Sequence, residues 1–88
     1  MQNIKKIIGI NLRYKRFQSG LSQEKFYEKY GLNSKYLSSI ERGEINIGVE
    51  MLESLSNVFE IPIVELVTYD PKKIIRKKRI DERDYSSI

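Results

Sequence analysis

The sequence contains neither cysteine nor histidine. Without cysteine, a disulfide framework and a thiolate metal site are both excluded. Without histidine, the chain lacks the commonest general base and the commonest metal ligand. No apolar run approaches the roughly 20 residues that a helix needs to cross a bilayer, and the N-terminus lacks the long apolar core of a secretory signal. We therefore expect a cytoplasmic protein that has no membrane partner and uses no cofactor.

The 88 residues suit one small domain with a limited core. The net charge of +4 is unevenly distributed along the chain. Residues 1–42 carry nine Lys/Arg and three Asp/Glu, residues 43–70 carry six acids and no base, and residues 71–88 carry seven bases and three acids. A basic surface attracts phosphates through counterion release, while an acidic far side disfavours other docking orientations. The alternative is that these charges are ordinary solvated helix faces.

Apolar spacing and capping residues predict an all-α fold of five helices. Ile4, Ile8 and Leu12 follow helical spacing in the first helix, which should end at Gly20. Ser22 and Asn33 are good N-caps for the second and third helices. The predicted helices cover residues 3–19, 23–30, 34–42, 49–59 and a short stretch that has Pro62 in its first turn.

Asp70 and Pro71 break the helical pattern, so we place a boundary between a domain of residues 1–70 and a basic C-terminal tail of residues 71–88. The tail lacks a convincing periodicity, which predicts a mobile or conditionally ordered segment, with a sixth helix or a strand as alternatives. Its Lys/Arg run, residues 72–79, can add non-specific affinity for phosphates. It can equally be solvated, or paired with the neighbouring acids of the tail.

Residues 22–43 are the most informative part of the chain. They form two short amphipathic segments joined at Gly31, with apolar positions that suit two helices packed at a steep angle. The second segment has a polar outer face. This is the geometry that places a helix in the major groove of DNA.

On these residues the chain resembles the phage-repressor-like helix-turn-helix family, also called the Cro/C1 or XRE family. The resemblance covers residues 8–67 and rests on Ile8-Gly9, Gly20-Leu21-Ser22-Gln23, Gly31-Leu32, Ile40-Glu41-Arg42-Gly43 and Ile61-Pro62 with Glu65-Leu66. It implies a five-helix fold, a homodimer on a two-fold-related operator and a role in transcriptional control. Within the family, residues 22–26 (SQEKF), Tyr36 and Asn46-Ile47 are similar to the controller proteins of restriction–modification systems.

One departure from the family concerns the packing of the motif itself. Tyr27 stands where the family usually has alanine, at a tight contact between two helices. Either the two helices are spread slightly, or the ring slides outward. A second departure is Gly48, which replaces a common Ser/Thr cap and predicts a ragged start to the fourth helix.

The resemblance and the position of each polar residue give a candidate DNA-binding set. Gln23 can donate to a phosphate oxygen at a helix N-terminus, or it can be a helix-capping glutamine. By family position Ser34, Lys35 and Ser39 face base edges. We expect Lys35 to carry much of the discrimination, because it can donate to guanine O6 or N7, and operator shape to carry the remainder. The full set is Gln23, Asn33, Ser34, Lys35, Tyr36, Ser38, Ser39, Arg42 and Asn46.

Three members of the set have alternative roles. Tyr36 can touch a thymine methyl group or the DNA backbone, or it can pack partly against the second helix. Asn46 matches a family contact to a backbone phosphate, or it is a turn residue that bonds its own main chain. Arg42 is an electrostatic contributor or solvated surface.

Two further groups of residues have structural roles. The resemblance implies an ion pair between Arg16 and Glu41 that braces the motif. A short fifth helix cannot turn all its apolar residues inward, so we expect an exposed apolar patch that forms a two-fold dimer contact. The candidate interface is Val58, Ile63, Val64 and Val67, unless the tail folds back and covers them.

The leading hypothesis is a sequence-specific regulator that binds double-stranded DNA as a homodimer on an inverted-repeat operator, either autoregulatory or as a restriction–modification controller. It would act by blocking RNA polymerase or by touching it from an adjacent site. The alternative is an antitoxin-like module of the same fold that binds a partner protein. An enzyme is not expected, because no nucleophile is placed with a base.

Overall fold

The computed structural model describes residues 3–74, and all the elements in that range are helical. The five-helix all-α prediction is confirmed. The helices are α1 (Ile4–Ser19), α2 (Gln23–Lys29), α3 (Ser34–Glu41), α4 (Val49–Phe59) and α5 (Ile63–Leu66), followed by a 3₁₀ helix (Pro71–Lys73).

Side-chain caps define the starts of the first three helices. Asn3 Oδ1 accepts from the backbone N–H of Lys6, and Ser22 Oγ accepts from that of Lys25. Asn33 Oδ1 accepts from two backbone N–H groups at the start of α3. Each bond satisfies a donor that the helix itself leaves free. Gly48 offers no side chain for this purpose, so α4 begins without a side-chain cap.

Two glycines allow the motif to close. Gly31 has φ 70°, a backbone conformation that favours glycine, and it turns the chain from α2 toward α3. Gly9 lies in α1 against the end of α3, where an added Cβ would come within 2.5 Å of the backbone oxygen of Glu41. Only glycine permits this close approach, which lets α1 and α3 pack directly against each other.

The core lies between the three helices of residues 4–41 and the pair α4 and α5. Its most deeply buried side chains are Leu12, Phe26, Tyr27, Ile40, Phe59 and Leu66. The Phe26 and Phe59 rings stack with centroids 5.4 Å apart, which joins α2 to α4. Offset aromatic pairs of this kind add to the stabilisation that burial supplies.

A buried asparagine joins the first helix to the last. Asn11 Nδ2 lies within hydrogen-bonding distance of the backbone oxygens of Glu65, Leu66 and Thr68, at 3.0, 2.7 and 3.1 Å. The carbonyls of Glu65 and Leu66 lie at the end of α5, where a helix leaves acceptors without intrahelical donors. Asn11 therefore adds a side-chain donor to the backbone N–H groups of Val67 and Thr68 that already reach Glu65.

The start of the predicted tail is part of the folded domain. The 3₁₀ helix packs on α1, and Lys73 Nζ lies 2.8 Å from Glu65 Oε2 and 5.6 Å from the centroid of the Tyr14 ring. Residues 71–73 therefore contact the helices before them, while the division of the chain at residue 70 stays a prediction. The remaining tail, residues 75–88, lies outside the described residues. Within residues 3–74, none of the helices combines the length and the apolarity needed to cross a membrane.

Candidate nucleic-acid interface

The start of α2 and the outer face of α3 together form a polar groove. Its volume is about 420 Å³, and it is lined by Gln23, Ser34, Lys35, Ser38, Ser39 and Arg42. We call this the α3 groove. Six of the nine candidate DNA-binding residues therefore lie together in one place. The lining offers hydroxyls, an amide and two cationic groups, and it contains no carboxylate.

Such a lining suits an anionic, acceptor-rich ligand. An ammonium and a guanidinium attract phosphate oxygens, and the same groups donate to the O6 and N7 atoms of guanine. Serine hydroxyls can donate or accept. The chemistry of the α3 groove therefore matches the edges and backbone of a nucleic acid.

Arg42 is held in place at the end of the α3 groove. Its Nε donates to Glu44 Oε2 at 2.9 Å, and its Nη1 donates to Ser38 Oγ at 2.6 Å. A longer bond of 3.3 Å joins its Nη2 to Ser39 Oγ. The hydrogen bond and charge of Glu44 raise the pKa of Arg42, and in return Arg42 lowers the pKa of Glu44. The guanidinium thus stays charged and is oriented along α3.

The other three DNA-binding candidates, Asn33, Tyr36 and Asn46, do not line the α3 groove. Asn33 caps α3, so its side-chain oxygen is already engaged with the backbone. Tyr36 is partly buried and packs against the core, so the choice between a DNA contact and packing against α2 stays a prediction. Asn46 is exposed in the loop between α3 and α4.

Gln23 lines the α3 groove and also bonds the buried carboxylate of Glu41, which is not part of the lining. Its Nε2 donates to Glu41 Oε1 at 3.1 Å. The capping alternative is wrong, because Ser22 supplies the side-chain cap of α2. Gln23 is only partly buried, so the rest of its amide remains in the groove.

Glu41 is the centre of a junction between three helices. Arg16 of α1 donates from Nε to Oε2 at 2.8 Å and from Nη2 to Oε1 at 3.0 Å. Gln23 and Tyr27, both of α2, also donate to this carboxylate. Burial tends to lower the pKa of Arg16, but its hydrogen bonds with Glu41 and the charge of that carboxylate outweigh burial, so the pKa is raised overall. A buried carboxylate is tolerated only when donors surround it in this way.

The position of Tyr27 corrects one of our two expectations for it. Its side chain is fully buried beside Phe26 and Phe59, and its hydroxyl donates to Glu41. The expectation that the ring slides outward is therefore wrong. The reason is that Glu41 provides an acceptor inside the domain, so the hydroxyl can be buried without losing a hydrogen bond. Burial and the negative charge of Glu41 raise the pKa of Tyr27.

A weak sequence signal for this role exists. Gln23 and Tyr27 are four residues apart on α2 and therefore share one helix face. The signal does not name the partner of Tyr27, because Glu41 lies 14 positions away in the sequence.

Most of the predicted dimer residues lie on the surface. Val64 is 71% exposed, and Val58 and Ile63 are also exposed. Val67 is partly buried and packs against the core, so it offers less apolar surface than expected.

Comparisons with known proteins agree with the fold. A helix-turn-helix family model matches residues 12–66. An uncharacterized HTH-type transcriptional regulator, y4dJ of Sinorhizobium fredii, is 38% identical over 66 residues, which cover 75% of this chain and 86% of that protein. The control protein C.SmaI of Serratia marcescens is 35% identical over 66 residues, covering 75% of this chain and 79% of its own length.

A solved structure supports the same assignment. The crystal structure of the hypothetical transcription factor NHTF from Neisseria superimposes with a TM-score of 0.67 at 25% sequence identity, covering 82% of this chain and 83% of that one. The matched segment contains α2 and α3 with the turn between them. The chain therefore belongs to the Cro/C1-type helix-turn-helix family of DNA-binding transcriptional regulators.

Proposed function

We propose that the protein recognises specific sequences in double-stranded DNA and regulates transcription from the sites it occupies. The observation that carries this proposal is the α3 groove, in which the outer face of α3 and the start of α2 present donors and positive charge on one surface. In this arrangement α3 enters the major groove, while the start of α2 lies against the phosphate backbone.

Lys35 supplies most of the direct base discrimination. It is exposed in the first turn of α3, and its ammonium can donate to guanine O6 or N7. The serines at positions 34, 38 and 39 can hydrogen-bond to several different bases, so they discriminate weakly between base pairs. Sequence-dependent shape and bending of the operator supply the remaining specificity.

The protein acts as a homodimer on an inverted-repeat operator. The support for this is three exposed apolar side chains, Val58 near the end of α4 and Ile63 and Val64 in α5, which together we call the α5 patch. An isologous contact through one patch relates two copies by a two-fold axis. Two recognition helices related in this way read half-sites about 34 Å apart on one face of the duplex.

Similarity to C.SmaI supports a narrower role. At 35% identity to a protein named as a control protein, this chain is a candidate controller in a restriction–modification system. In that role it regulates by occupancy, either blocking RNA polymerase or touching it from an adjacent site. An inverted repeat just upstream of its own gene would favour autoregulation.

Selection of bound sequences from a random duplex pool tests the DNA proposal. We expect a two-fold-symmetric motif. The Lys35→Ala variant should then lose about 1–3 kcal/mol of discrimination at one position of each half-site. Lys29→Ala is the matched control, because Lys29 is exposed at the end of α2 and is not part of the α3 groove. Failure of the unmodified protein to select any motif would overturn the proposal.

Sedimentation tests the dimer proposal. Val64→Glu places a charge in the α5 patch, so the variant should sediment as a monomer at concentrations where the unmodified protein is a dimer. Val49→Glu makes the same change at a valine that is 82% exposed at the start of α4, and its mass should not change. An unchanged mass for Val64→Glu contradicts this interface.

A second candidate function uses the α5 patch differently. An exposed apolar surface can also bind another protein, as in an antitoxin-like interaction module of the same fold. This candidate predicts a monomeric protein with weak, non-selective DNA affinity. The two experiments above therefore distinguish it from the regulator.

A further inference from the structure

The Glu41 carboxylate is held from two sides by groups of different character. On the α1 side, the Arg16 guanidinium bonds both of its oxygens. On the α2 side, Gln23 donates to Oε1, and the Tyr27 hydroxyl donates to Oε2. Both oxygens therefore receive one bond from α1 and one from α2.

Only one of the two α2 donors is buried. Tyr27 is fully buried, whereas Gln23 is partly exposed and lines the α3 groove. Because the two residues are four positions apart on the same helix, their side chains reach the carboxylate from one face. The Arg16 guanidinium fixes the plane of the carboxylate through its two bonds, but it stands on a long side chain that can still shift. The Tyr27 hydroxyl donates from a fully buried ring, so it holds the carboxylate in position and keeps Oε1 facing Gln23.

In this arrangement Glu41 uses only one of the two N–H groups of the Gln23 side-chain amide. A glutamine amide nitrogen carries two N–H donors, and Glu41 accepts one of them. The second N–H remains for a ligand in the α3 groove, close to the start of α2, where phosphate oxygens are favoured. The orientation of that donor is fixed through the bond that the other one makes.

We propose that Tyr27 is a positioning residue for DNA binding, acting through Glu41 to orient the Gln23 amide toward a backbone phosphate. The inference rests on the proposed DNA-binding function and deepens it. Tyr27 itself touches no ligand, because it is fully buried. The tyrosine that departs from the family pattern thus has a role in binding as well as in packing.

The first test uses the free protein. In NMR relaxation measurements, the Gln23 side-chain amide should be as rigid as the backbone, whereas the exposed Gln18 amide should be mobile. In Tyr27→Phe, the Gln23 amide should become mobile and its resonances should shift. The control is Tyr30→Phe, which removes a hydroxyl from the end of the same helix segment without touching Glu41, and it should leave Gln23 unchanged. Equal mobility of Gln23 and Gln18 in the unmodified protein overturns the proposal, whether or not the Phe variant folds.

The second test measures affinity for the duplex selected from the random pool. Tyr27→Phe and Gln23→Ala should each weaken binding by about three- to tenfold, the effect of one lost hydrogen bond. Because both changes act through the same amide, Tyr27→Phe should cost nothing further in the Gln23→Ala background. Two outcomes contradict the proposal: a double variant whose loss of affinity is the product of the two single losses, and a folded Tyr27→Phe that binds the duplex as tightly as the unmodified protein. Either would leave Tyr27 with a role in packing alone.

The two ways of failing can be told apart. Absence of any selected motif for the unmodified protein overturns the proposed function before a variant is compared. A motif bound equally well by Tyr27→Phe overturns only the role of Tyr27.

Discussion

Glu41 and Arg42 are neighbours in sequence at the end of α3, yet their ion pairs lie in different surroundings. The Arg16–Glu41 pair has N···O 2.8 Å, with side chains 17% and 4% exposed. The Arg42–Glu44 pair has almost the same distance, 2.9 Å, with side chains 54% and 55% exposed. Distance therefore does not distinguish them, and burial does.

The comparison teaches what each pair can do. A buried carboxylate that loses its partner is left as an uncompensated charge, so the inner pair resists exchange. Together with Gln23 and Tyr27 of α2, the pair joins three helices. An exposed pair is screened by water and contributes little to stability. We therefore expect that Arg42 can leave Glu44 and pair with a phosphate, while Glu41 keeps its buried partners.

Removal of the inner carboxylate should have the largest effect. Glu41→Ala strands the Arg16 guanidinium and leaves the Tyr27 hydroxyl without its acceptor, so we expect a loss of about 3 kcal/mol in the free energy of unfolding. Urea denaturation followed by circular dichroism measures it. Glu44→Ala is the matched control and should unfold at the same urea concentration as the unmodified protein. Similar losses in both variants would show that burial does not separate the pairs.

A buried neutral group tests whether charge is needed for a large effect. Asn11→Ala removes the donor shared by the carbonyls at the end of α5, so the free energy of unfolding should fall by about 1–3 kcal/mol. The same denaturation assay applies, with Asn57→Ala as the control, because Asn57 is exposed on α4. No loss for Asn11→Ala would mean that water replaces the amide at these carbonyls.

Alkaline pH should weaken the inner junction selectively. Burial and the charge of Glu41 raise the pKa of Tyr27, whereas an unfolded tyrosine ionises near pH 10. Above that pH the folded state binds more protons than the unfolded state, so stability falls as pH rises. The stabilisation that the raised pKa of Tyr27 gives the folded state is fully present below about pH 10. It should decrease by about 1.4 kcal/mol by pH 11.

Urea denaturation at pH 8 and pH 11 measures this loss. The Tyr27→Phe variant lacks the group, so its stability should decline less over the same range. Parallel declines in the two proteins would assign the alkaline sensitivity to other residues.

A change in the outer pair, Arg42–Glu44, should have the smallest effect on stability but a measurable effect on DNA binding. Glu44→Gln frees Arg42 and removes a negative charge from the edge of the α3 groove. We expect no measurable change in unfolding and a steeper salt dependence of DNA affinity, by up to about one unit of slope. Glu53→Gln, an equal charge change on the exposed face of α4, is the control. An identical slope for Glu44→Gln would mean that Arg42 does not reach phosphate.

Much of the fold could be predicted because its signals are local. Ser22 and Asn33 cap the helices at which they were expected, and α4 begins without a side-chain cap at Gly48. Asn3 caps α1, although the spacing had placed it inside that helix. These features depend on residues within a turn of one another, so sequence order alone specifies them. The assignment to the helix-turn-helix family follows from the same short-range pattern.

The candidate site was predictable in composition and less so in geometry. The polar residues of α3 could be named from helical spacing, and six of the nine candidates line the α3 groove. The bond from Gln23 to Glu41 could not, because it joins residues 18 positions apart. The cap that Asn11 forms on α5 spans more than 50 positions and has no counterpart in local spacing.

The sequence by itself determined the helices, their caps and the family, because these depend on dihedral preferences and on apolar spacing within single elements. The tertiary structure alone decided which polar groups meet inside the domain. Tyr27 could be buried only because packing brings Glu41 to its hydroxyl, and a buried polar group is stable only where such a partner exists. Neighbouring residues 41 and 42 thus acquired different roles from the faces on which they lie.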